Sequence, residues 1–252
     1  MVDDALKVPG TEGRAPFMEH LKELRNRILY SAISVALGLV VGMVFGNQVL
    51  YLLKLPAGNI DLVVLKIIEN VSVYFKVSLM SGVIIAMPFL VYQLFAFVAP
   101  GLTPREKRTI FTILPAITFM FLAGVAFAYF MVLPQALGFL FNFNSEVAKP
   151  MISLDNYVSF VTRILLVVGM VFETPLVIMG MARLGIVSPQ WLAARRKWWL
   201  IIAFVIAAIV TPTPDPLTQT IVAVPLILLL ELGILLARLV YRKREQPITE
   251  SA

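Results

Sequence analysis

The apolar residues of this chain gather into long blocks that are separated by short polar or proline-containing segments. About 20 apolar residues are needed for one helical crossing of a bilayer, and six blocks approach or exceed that length. They cover residues 27–45, 73–97, 109–133, 157–184, 198–210 and 217–241. The pattern predicts an all-α membrane protein whose six transmembrane helices form one domain over residues 17–242, between a polar tail at 1–16 and a second tail at 243–252.

The last two blocks are shorter than the others. The apolar core of the fifth is about 13 residues long, or roughly 20 Å, against a hydrocarbon thickness of about 30 Å. The sixth is uninterrupted only from Ile221 to Leu230, because Glu231 follows. These two helices either form a re-entrant hairpin or cross a locally thinned membrane, and we favour crossing.

Four prolines fall inside the predicted helices, at Pro88, Pro115, Pro175 and Pro225. Each proline removes a backbone donor and bends a helix. We therefore expect a curved bundle with an open, concave face, although proline is also common in ordinary membrane helices.

The composition agrees with a membrane protein and excludes several kinds of site. Hydrophobic residues make up 60% of the chain and charged residues 14%, whereas a soluble domain carries about 25% charged residues. The chain has no cysteine, and His20 is its only histidine, so thiol chemistry and histidine metal clusters are excluded. We expect no cofactor, and no motif for an intramembrane enzyme is found.

The basic residues are distributed unevenly between alternate connections. Sixteen lie within residues 7–27, 105–108, 183–197 and 238–244, and the intervening connections hold four: Lys54, Lys66, Lys76 and Lys149. Basic residues are enriched on the cytoplasmic side of membrane proteins. This bias places both termini in the cytoplasm and argues against nucleic acid as the reason for the net charge of +6.

Glu173 lies inside the fourth block, where an ionised carboxylate costs at least a few kcal/mol. Such residues are usually functional, and the alternative is a protonated or hydrated carboxyl that only packs helices together. On composition alone, Glu173 fits the proton or cation site of a secondary transporter. The chain shows no internal repeat, which weighs against that class.

Two polar segments on the basic side carry further carboxylates. Residues 17–28 have apolar positions at helical spacing and form an amphipathic interfacial helix with Glu23 on its polar face, which is either functional or a plain surface anchor. In the next basic connection, Glu106 stands three residues after Thr103, as in a capping box, and is otherwise an exposed carboxylate available to a basic partner.

Four short motifs occur in the order found in one known family. The runs HLKELRNR at 20–27, FVAPGL with a later glutamate at 97–106, FETP at 172–175 and TPTPDPLTQT at 211–220 resemble the TatC family. TatC is the multispanning core of the twin-arginine, or Sec-independent, protein translocase. The resemblance extends from residue 17 to residue 242.

The resemblance implies a receptor for the paired arginines of signal peptides at the cytoplasmic face. Its carboxylates are Glu23 and Glu106, with Phe97 and Gln93 beside them. A carboxylate can bind a guanidinium through two parallel hydrogen bonds, which lysine cannot reproduce. Two further family positions, Arg25 and Arg27, are expected to hold this surface in shape.

The resemblance also implies an assembly surface within the membrane. Glu173 matches a family glutamate on the concave side, and Asp215 and Gln219 match polar positions near the start of helix six. Single-span partner subunits of the TatA/TatB type are expected at helices five and six and near Glu173, together with other copies of the chain and membrane lipids. Arg163 has no counterpart in this pattern.

The expected function is therefore the export of folded proteins across a prokaryotic cytoplasmic (inner) membrane, driven by the proton-motive force. The expected role is that of a receptor and core subunit, with no reaction catalysed by the chain.

Overall fold

The computed structural model of the chain describes residues 14–58, 60–98, 104–142, 151–183, 185–211 and 216–241. Within these ranges the α-helices are α1 (Arg14–Val44), α2 (Gly46–Lys54), α3 (Glu69–Val98), α4 (Pro104–Phe127), α5 (Leu133–Asn142), α6 (Leu154–Phe172), α7 (Thr174–Arg183), α8 (Pro189–Ala194), α9 (Arg196–Val210) and α10 (Pro216–Val240). A 3₁₀ turn follows α2 at Leu55–Ala57, and a π-helical turn at Ala128–Val132 joins α4 to α5. Two short strands, β1 (Leu62–Val63) and β2 (Ile152–Ser153), pair in parallel with Leu62 opposite Ile152.

The prediction of an all-α, multi-pass membrane protein is confirmed. Five helical segments among the described residues are long and apolar enough to cross a membrane: His20–Val44, Glu69–Phe97, Leu114–Asn142, Leu154–Arg183 and Pro216–Val240. They correspond to the first four predicted spans and the sixth. The predicted fifth is α9, whose 15 residues extend about 22 Å, too short to count by length alone. The sixth crossing, the concave shape and the orientation stay predictions.

Some helix bounds differ from the predicted ones because local backbone geometry determines where a helix ends. The third span continues through the π-helical turn to Asn142, so residues 139–142 are helical and do not belong to a loop. Pro88, Pro115 and Pro225 lie within continuous helices. Among the described spans that contain a proline, the fourth alone is divided into two helices. There α6 ends at Phe172 and α7 begins at Thr174.

The interface between α1 and α3 is built from small residues. Gly38 and Gly42 of α1 lie four residues apart and face Gly82 and Ser78 on the antiparallel helix α3. The next glycine at this spacing, Gly46, is the first residue of α2 and lies against the Tyr74 ring. A Cβ atom added at Gly38 would lie 2.5 Å from the carbonyl oxygen of Gly82, so the two backbones are in direct contact. In lipid, helices associate through such close packing because the hydrophobic effect between them is weak.

The core of the bundle surrounds α6. Its buried side chains include Val158, Val161, Ile164 and Val168, and they pack with residues of α3, α5, α9 and α10. Gly169 of α6 lies against Phe121 of α4, and Gly124 of α4 lies against Phe172. These contacts hold the two helices close together just before Glu173.

The end of the bundle that carries α2 and the two strands is held by tyrosines. Tyr129 and Tyr157 donate hydrogen bonds to the carbonyl oxygens of Leu52 and Leu53, at 2.7 and 2.6 Å. The last carbonyls of a helix lack their usual helical partners. At the end of α2 the two phenols bind such carbonyls, and the Leu52 carbonyl also accepts from the Leu55 N–H.

At the same end, Glu69 joins the segment that precedes α3 to the segment in which α6 begins. One carboxylate oxygen accepts hydrogen bonds from the backbone N–H groups of Leu65 and Lys66, at 2.7 and 3.0 Å. The other accepts from the Ser153 hydroxyl at 2.5 Å and from the Asp155 N–H at 2.8 Å. The side chain is buried, and these four hydrogen bonds all come from the protein itself.

Lys76 makes a second polar link, in this case between α3 and α6. Its ammonium group lies 2.5 Å from Asp155 Oδ1 and 2.9 Å from the Ser159 hydroxyl. Because Glu69 binds the backbone of Asp155 while Lys76 binds its side chain, the start of α6 is fixed at two points.

We predict that Gly82→Ala destabilises the protein by about 1–3 kcal/mol, the usual cost of inserting a methyl group into a well-packed contact. The new Cβ would lie 2.6 Å from the backbone nitrogen of Leu39, which cannot move independently of α1. Thermal unfolding of the detergent-solubilised protein would measure the effect. Gly138→Ala is the matched control, since nothing lies within 4 Å of its added Cβ. Equal melting temperatures for the two variants would contradict the proposed contact.

We further predict that Glu69→Gln lowers the melting temperature. The amide group has the same size as the carboxylate, but one of its two polar atoms is a nitrogen that donates. This NH2 group would face backbone N–H groups or a hydroxyl that are themselves donors. Asp61→Asn makes the same change at an exposed carboxylate in the segment between α2 and α3 and serves as the control. An unchanged melting temperature in Glu69→Gln would show that the four hydrogen bonds contribute no net stability.

Candidate functional site

The first candidate site is a cluster where the N-terminal part of α1 meets the C-terminal part of α3. The Arg27 guanidinium donates a hydrogen bond to Gln93 Oε1 at 3.0 Å and another to Glu23 Oε1 at 3.3 Å. Gln93 is 4% exposed, whereas Glu23 and Arg27 are partly open to the surroundings. The cluster therefore has a buried amide at its base and a carboxylate at its rim.

The helix contact explains why these residues meet. Arg27 lies eleven residues before Gly38 on α1, and Gln93 lies eleven residues after Gly82 on α3. Eleven residues are about three helical turns, so the antiparallel register set by the glycines continues directly to the Arg27–Gln93 pair. Within α1, Glu23 and Arg27 are four residues apart and share one face.

An aromatic pair adjoins the cluster. The rings of His20 and Phe97 are stacked with their centres 4.4 Å apart and their planes 18° from parallel. His20 Nδ1 is 3.9 Å from Glu23 Oε2, which places the stacked rings next to the carboxylate. A guanidinium bound at Glu23 would have a flat aromatic surface within reach.

Four of the six residues predicted for peptide binding are brought together here: Glu23, Arg27, Gln93 and Phe97. Arg25 is not, because it is exposed and donates to the adjacent Asn26 side chain at 3.4 Å. Glu106 lies in the first turn of α4, but its side chain falls outside the described part of the chain. Thr103 also falls outside it, so the alternative capping role for Glu106 stays a prediction.

The second candidate site is Glu173, at the junction between α6 and α7. Its N–H bonds to the Met170 carbonyl at 3.2 Å, which is a tighter turn than the α-helical bond. Pro175 follows two residues later and has no N–H to donate. The junction therefore arises from the sequence Phe-Glu-Thr-Pro itself.

The Glu173 side chain is half-buried and incompletely paired. Its Oε1 atom is inaccessible and accepts no hydrogen bond from the described residues. None of the ion pairs found among those residues involves Glu173, and Arg163 of the same span is exposed. A buried acceptor without a partner is unfavourable, commonly by about 1–3 kcal/mol, and the cost is removed when a donor arrives.

The remaining predicted positions lie near the start of α10. Gln219 is half-buried in the first turns of that helix, and Asp215 lies outside the described residues. No group of three or more potential metal ligands is found among the residues that the structure describes.

Sequence reasoning did not identify two other ion pairs, Lys76–Asp155 and Arg196–Glu231. The second is bidentate, with Arg196 Nε 2.7 Å from Glu231 Oε1 and the NH2 group 2.8 Å from Oε2. It joins the beginning of α9 to α10. The sequence signal for it was the position of Glu231, a charge at the end of an otherwise apolar run.

Comparisons with protein families and with individual proteins both identify the TatC family. A family model described as Sec-independent protein translocase protein (TatC) matches residues 19–225. The Sec-independent protein translocase protein TatC of Aquifex aeolicus is 38% identical over 237 residues, covering 92% of this chain and 98% of that protein. The protein of the same name from Desulforapulum autotrophicum is also 38% identical, over 96% of this chain and 91% of its own length.

The fold is also similar to that of solved structures. A crystal structure of the twin arginine translocase receptor TatC superposes with a TM-score of 0.79 at 38% identity, covering 88% of this chain and all of that one. A second structure of the same receptor, in the detergent DDM, gives a TM-score of 0.80 over 86% of this chain.

Proposed function

This chain belongs to the TatC family of Sec-independent protein translocase proteins, and from that premise we propose that it is the receptor for twin-arginine signal peptides in its translocase. As a TatC protein it is a multi-pass membrane component of the translocase, works with other Tat subunits and does not itself catalyse a reaction. The observation that carries the proposal is the cluster of Glu23, Arg27 and Gln93, which already holds one guanidinium.

The cluster supports recognition of arginine because it binds an arginine of its own chain. Arg27 takes one oxygen of Glu23 and leaves the other open to an incoming guanidinium. If the peptide displaces Arg27, little is lost, since a partly exposed pair at this helical spacing contributes only about 0.3–0.5 kcal/mol. Arg27 would still be held by Gln93, so displacement would not leave it unpaired.

Selection against lysine follows from the geometry of the same group. Once Arg27 is displaced, the Glu23 carboxylate beside the stacked rings offers two in-plane acceptors and an aromatic face, both of which suit the planar guanidinium. An ammonium group would keep the charge but lose the paired hydrogen bonds. In this proposal Glu106 supplies the second carboxylate, for the second arginine.

Orientation is part of the proposal. The basic bias of the connections favours a cytoplasmic location for the end that carries Glu23 and Gln93, with both termini on that side of a prokaryotic inner membrane. The peptide site would then face the compartment in which cargo proteins fold, and transport would be driven by the proton-motive force.

Glu173 is proposed as a contact for single-span partner subunits. Its unpaired carboxylate oxygen can accept a hydrogen bond from a polar group on a partner helix, which would remove an unfavourable feature of the isolated chain. The shortness of α9 suits the same role, because short apolar helices associate where the bilayer is thinned to match them. Gln219 and Asp215 would extend this surface along α10.

We predict that Glu23→Gln weakens binding of a twin-arginine peptide about tenfold or more, since a hydrogen bond to a charged group contributes about 1.5–3 kcal/mol. Binding to the protein in nanodiscs can be measured with a fluorescent signal peptide. Asp61→Asn, which neutralises an exposed carboxylate in the segment before α3, at the opposite end of that helix from Gln93, is the matched control and should bind normally.

A peptide with Lys-Lys in place of Arg-Arg should bind weakly to the unmodified protein and lose little further affinity in Glu23→Gln. A photo-crosslinker beside Glu106 should label the Arg-Arg peptide preferentially. Equal labelling by both peptides would refute the receptor proposal.

We predict that Glu173→Leu blocks export of a twin-arginine reporter and co-purification of partner subunits while leaving peptide affinity unchanged. The isolated variant should melt at the same temperature or higher, because the substitution removes an unpaired buried oxygen. Glu173→Gln, which keeps a polar group, should retain part of the activity. Normal export by Glu173→Leu would exclude the assembly role.

A further inference from the structure

A second group of charges lies at the same end of the bundle as the peptide cluster but on other helices. An open cleft of about 410 Å³ is lined by residues of α9 and α10: Arg196, Glu231, Leu232, Ile234, Leu235 and Arg238. None of these residues belongs to α1 or α3, which form the Glu23–Gln93 cluster. The cleft therefore has no part in the proposed recognition of arginine.

The charges of the cleft do not balance. Both oxygens of Glu231 are occupied by the Arg196 guanidinium, so that pair is neutral as a unit. Arg238 lies seven residues after Glu231, two turns along the same face of α10. Arg238 is exposed and makes no hydrogen bond or ion pair with any residue that the structure describes. Among the described residues, the cleft thus presents one guanidinium without a partner beside a neutralised one.

The wall below these charges is apolar and open. Leu232 and Leu235 line the cleft and are exposed, and they continue a stripe of exposed leucines along α10 that includes Leu228 and Leu239. In a protein that spans a membrane, such a stripe faces acyl chains. The guanidinium groups therefore stand at one end of a lipid-facing surface.

The surrounding aromatic residues place the cleft at the depth of the lipid headgroups. Trp198, in the first turn of α9, is 66% exposed, and Trp191 of α8 lies under the Arg195 guanidinium at 4.0 Å. Tryptophan is enriched at membrane–water interfaces because its ring is apolar and its N–H is polar. The cleft and the aromatic residues thus occupy one interfacial layer.

We propose that this cleft binds the headgroup of an anionic phospholipid. The Arg238 guanidinium donates to the phosphate oxygens, and the acyl chains lie along the leucine stripe of α10. Basic pockets between transmembrane helices are suited to anionic headgroups, and arginine binds phosphate through two parallel hydrogen bonds. A soluble phosphate would use the guanidinium but gain nothing from the apolar wall, and a zwitterionic lipid would bring a cation next to Arg196 and Arg238.

The position of the tryptophans gives a direct test. The chain has three, Trp191, Trp198 and Trp199, and all of them lie in α8 or in the first turn of α9, the turn that contributes Arg196, so intrinsic fluorescence reports on this part of the molecule. The full chain is reconstituted in nanodiscs of phosphatidylcholine with increasing amounts of brominated phosphatidylglycerol, and quenching is compared with that by brominated phosphatidylcholine. We expect saturable quenching at a lower mole fraction of the anionic lipid.

Variants distinguish a specific site from general attraction to the basic end. Arg238→Gln should weaken the apparent affinity for the anionic lipid about fivefold, the loss expected for one basic side chain at a membrane surface. Arg238→Lys should restore part of it. Lys197→Gln removes an equal charge from an exposed position next to Arg196 that does not line the cleft, and should leave the affinity unchanged.

Equal losses in Arg238→Gln and Lys197→Gln, or equal quenching by both lipids in the unmodified protein, would overturn the proposal. Quenching that is displaced by free inorganic phosphate would assign the cleft to a soluble anion and would also overturn it. A binding defect in Arg238→Gln with normal binding of the twin-arginine peptide would support the lipid site independently of the receptor function.

Discussion

The direct contact between the backbones of α1 and α3 is the constraint on which the candidate receptor surface depends. Two glycines four residues apart on α1, Gly38 and Gly42, allow an approach that no side chain would permit, and they fix the antiparallel register of the two helices. Three turns further along, this register brings Arg27 to Gln93 and thereby orients Glu23. The contacts within the polar cluster stabilise the helix pair only weakly. The positions of its side chains are therefore set by the apolar contact between the helices, well inside the membrane-spanning region.

The carboxylates of the protein differ in how completely they are satisfied. Glu69 accepts four hydrogen bonds, and Glu231 has both oxygens bound by Arg196. Glu23 is shared with Arg27 at a partly open rim, and Glu173 keeps one buried oxygen without a donor among the described residues. Carboxylates whose oxygens all accept hydrogen bonds stabilise the isolated chain, whereas carboxylates with an oxygen that lacks a donor favour association with another molecule. Of these four carboxylates, the two proposed to act in recognition and assembly are the ones that the chain leaves incompletely satisfied.

The sequence predicted the class of the protein and most of its membrane-spanning segments because apolar blocks and charge bias are local properties. Glu173, Pro175 and the shortness of the helix before Thr211 were visible in the same way. Contacts between distant residues were not. The Arg27–Gln93 bond joins positions 66 residues apart, and the Lys76–Asp155 pair joins positions 79 apart, so both depend on helix register.

One sequence signal was present and was missed. Gly38 and Gly42 form a Gly-x-x-x-Gly motif in an apolar run, which is typical of close helix contacts in lipid. The extension of the third span to Asn142 is a different case. It could not be predicted from apolarity, because it depends on a π-helical turn that keeps the helix continuous.

The hydrogen bonds of Glu69 also bear on the order in which the protein is assembled. Two of its partners closely precede it in sequence, but the other two belong to Ser153 and Asp155, 84 and 86 residues later. Proteins are synthesised from the N-terminus, so α1, α2 and α3 exist before half of the ligands of this carboxylate have been made. Until then Glu69 lacks the Ser153 and Asp155 donors, and β1 has no second strand to pair with. The hydrogen bonds at this end of the bundle can therefore be completed only after the beginning of the fourth span has been synthesised.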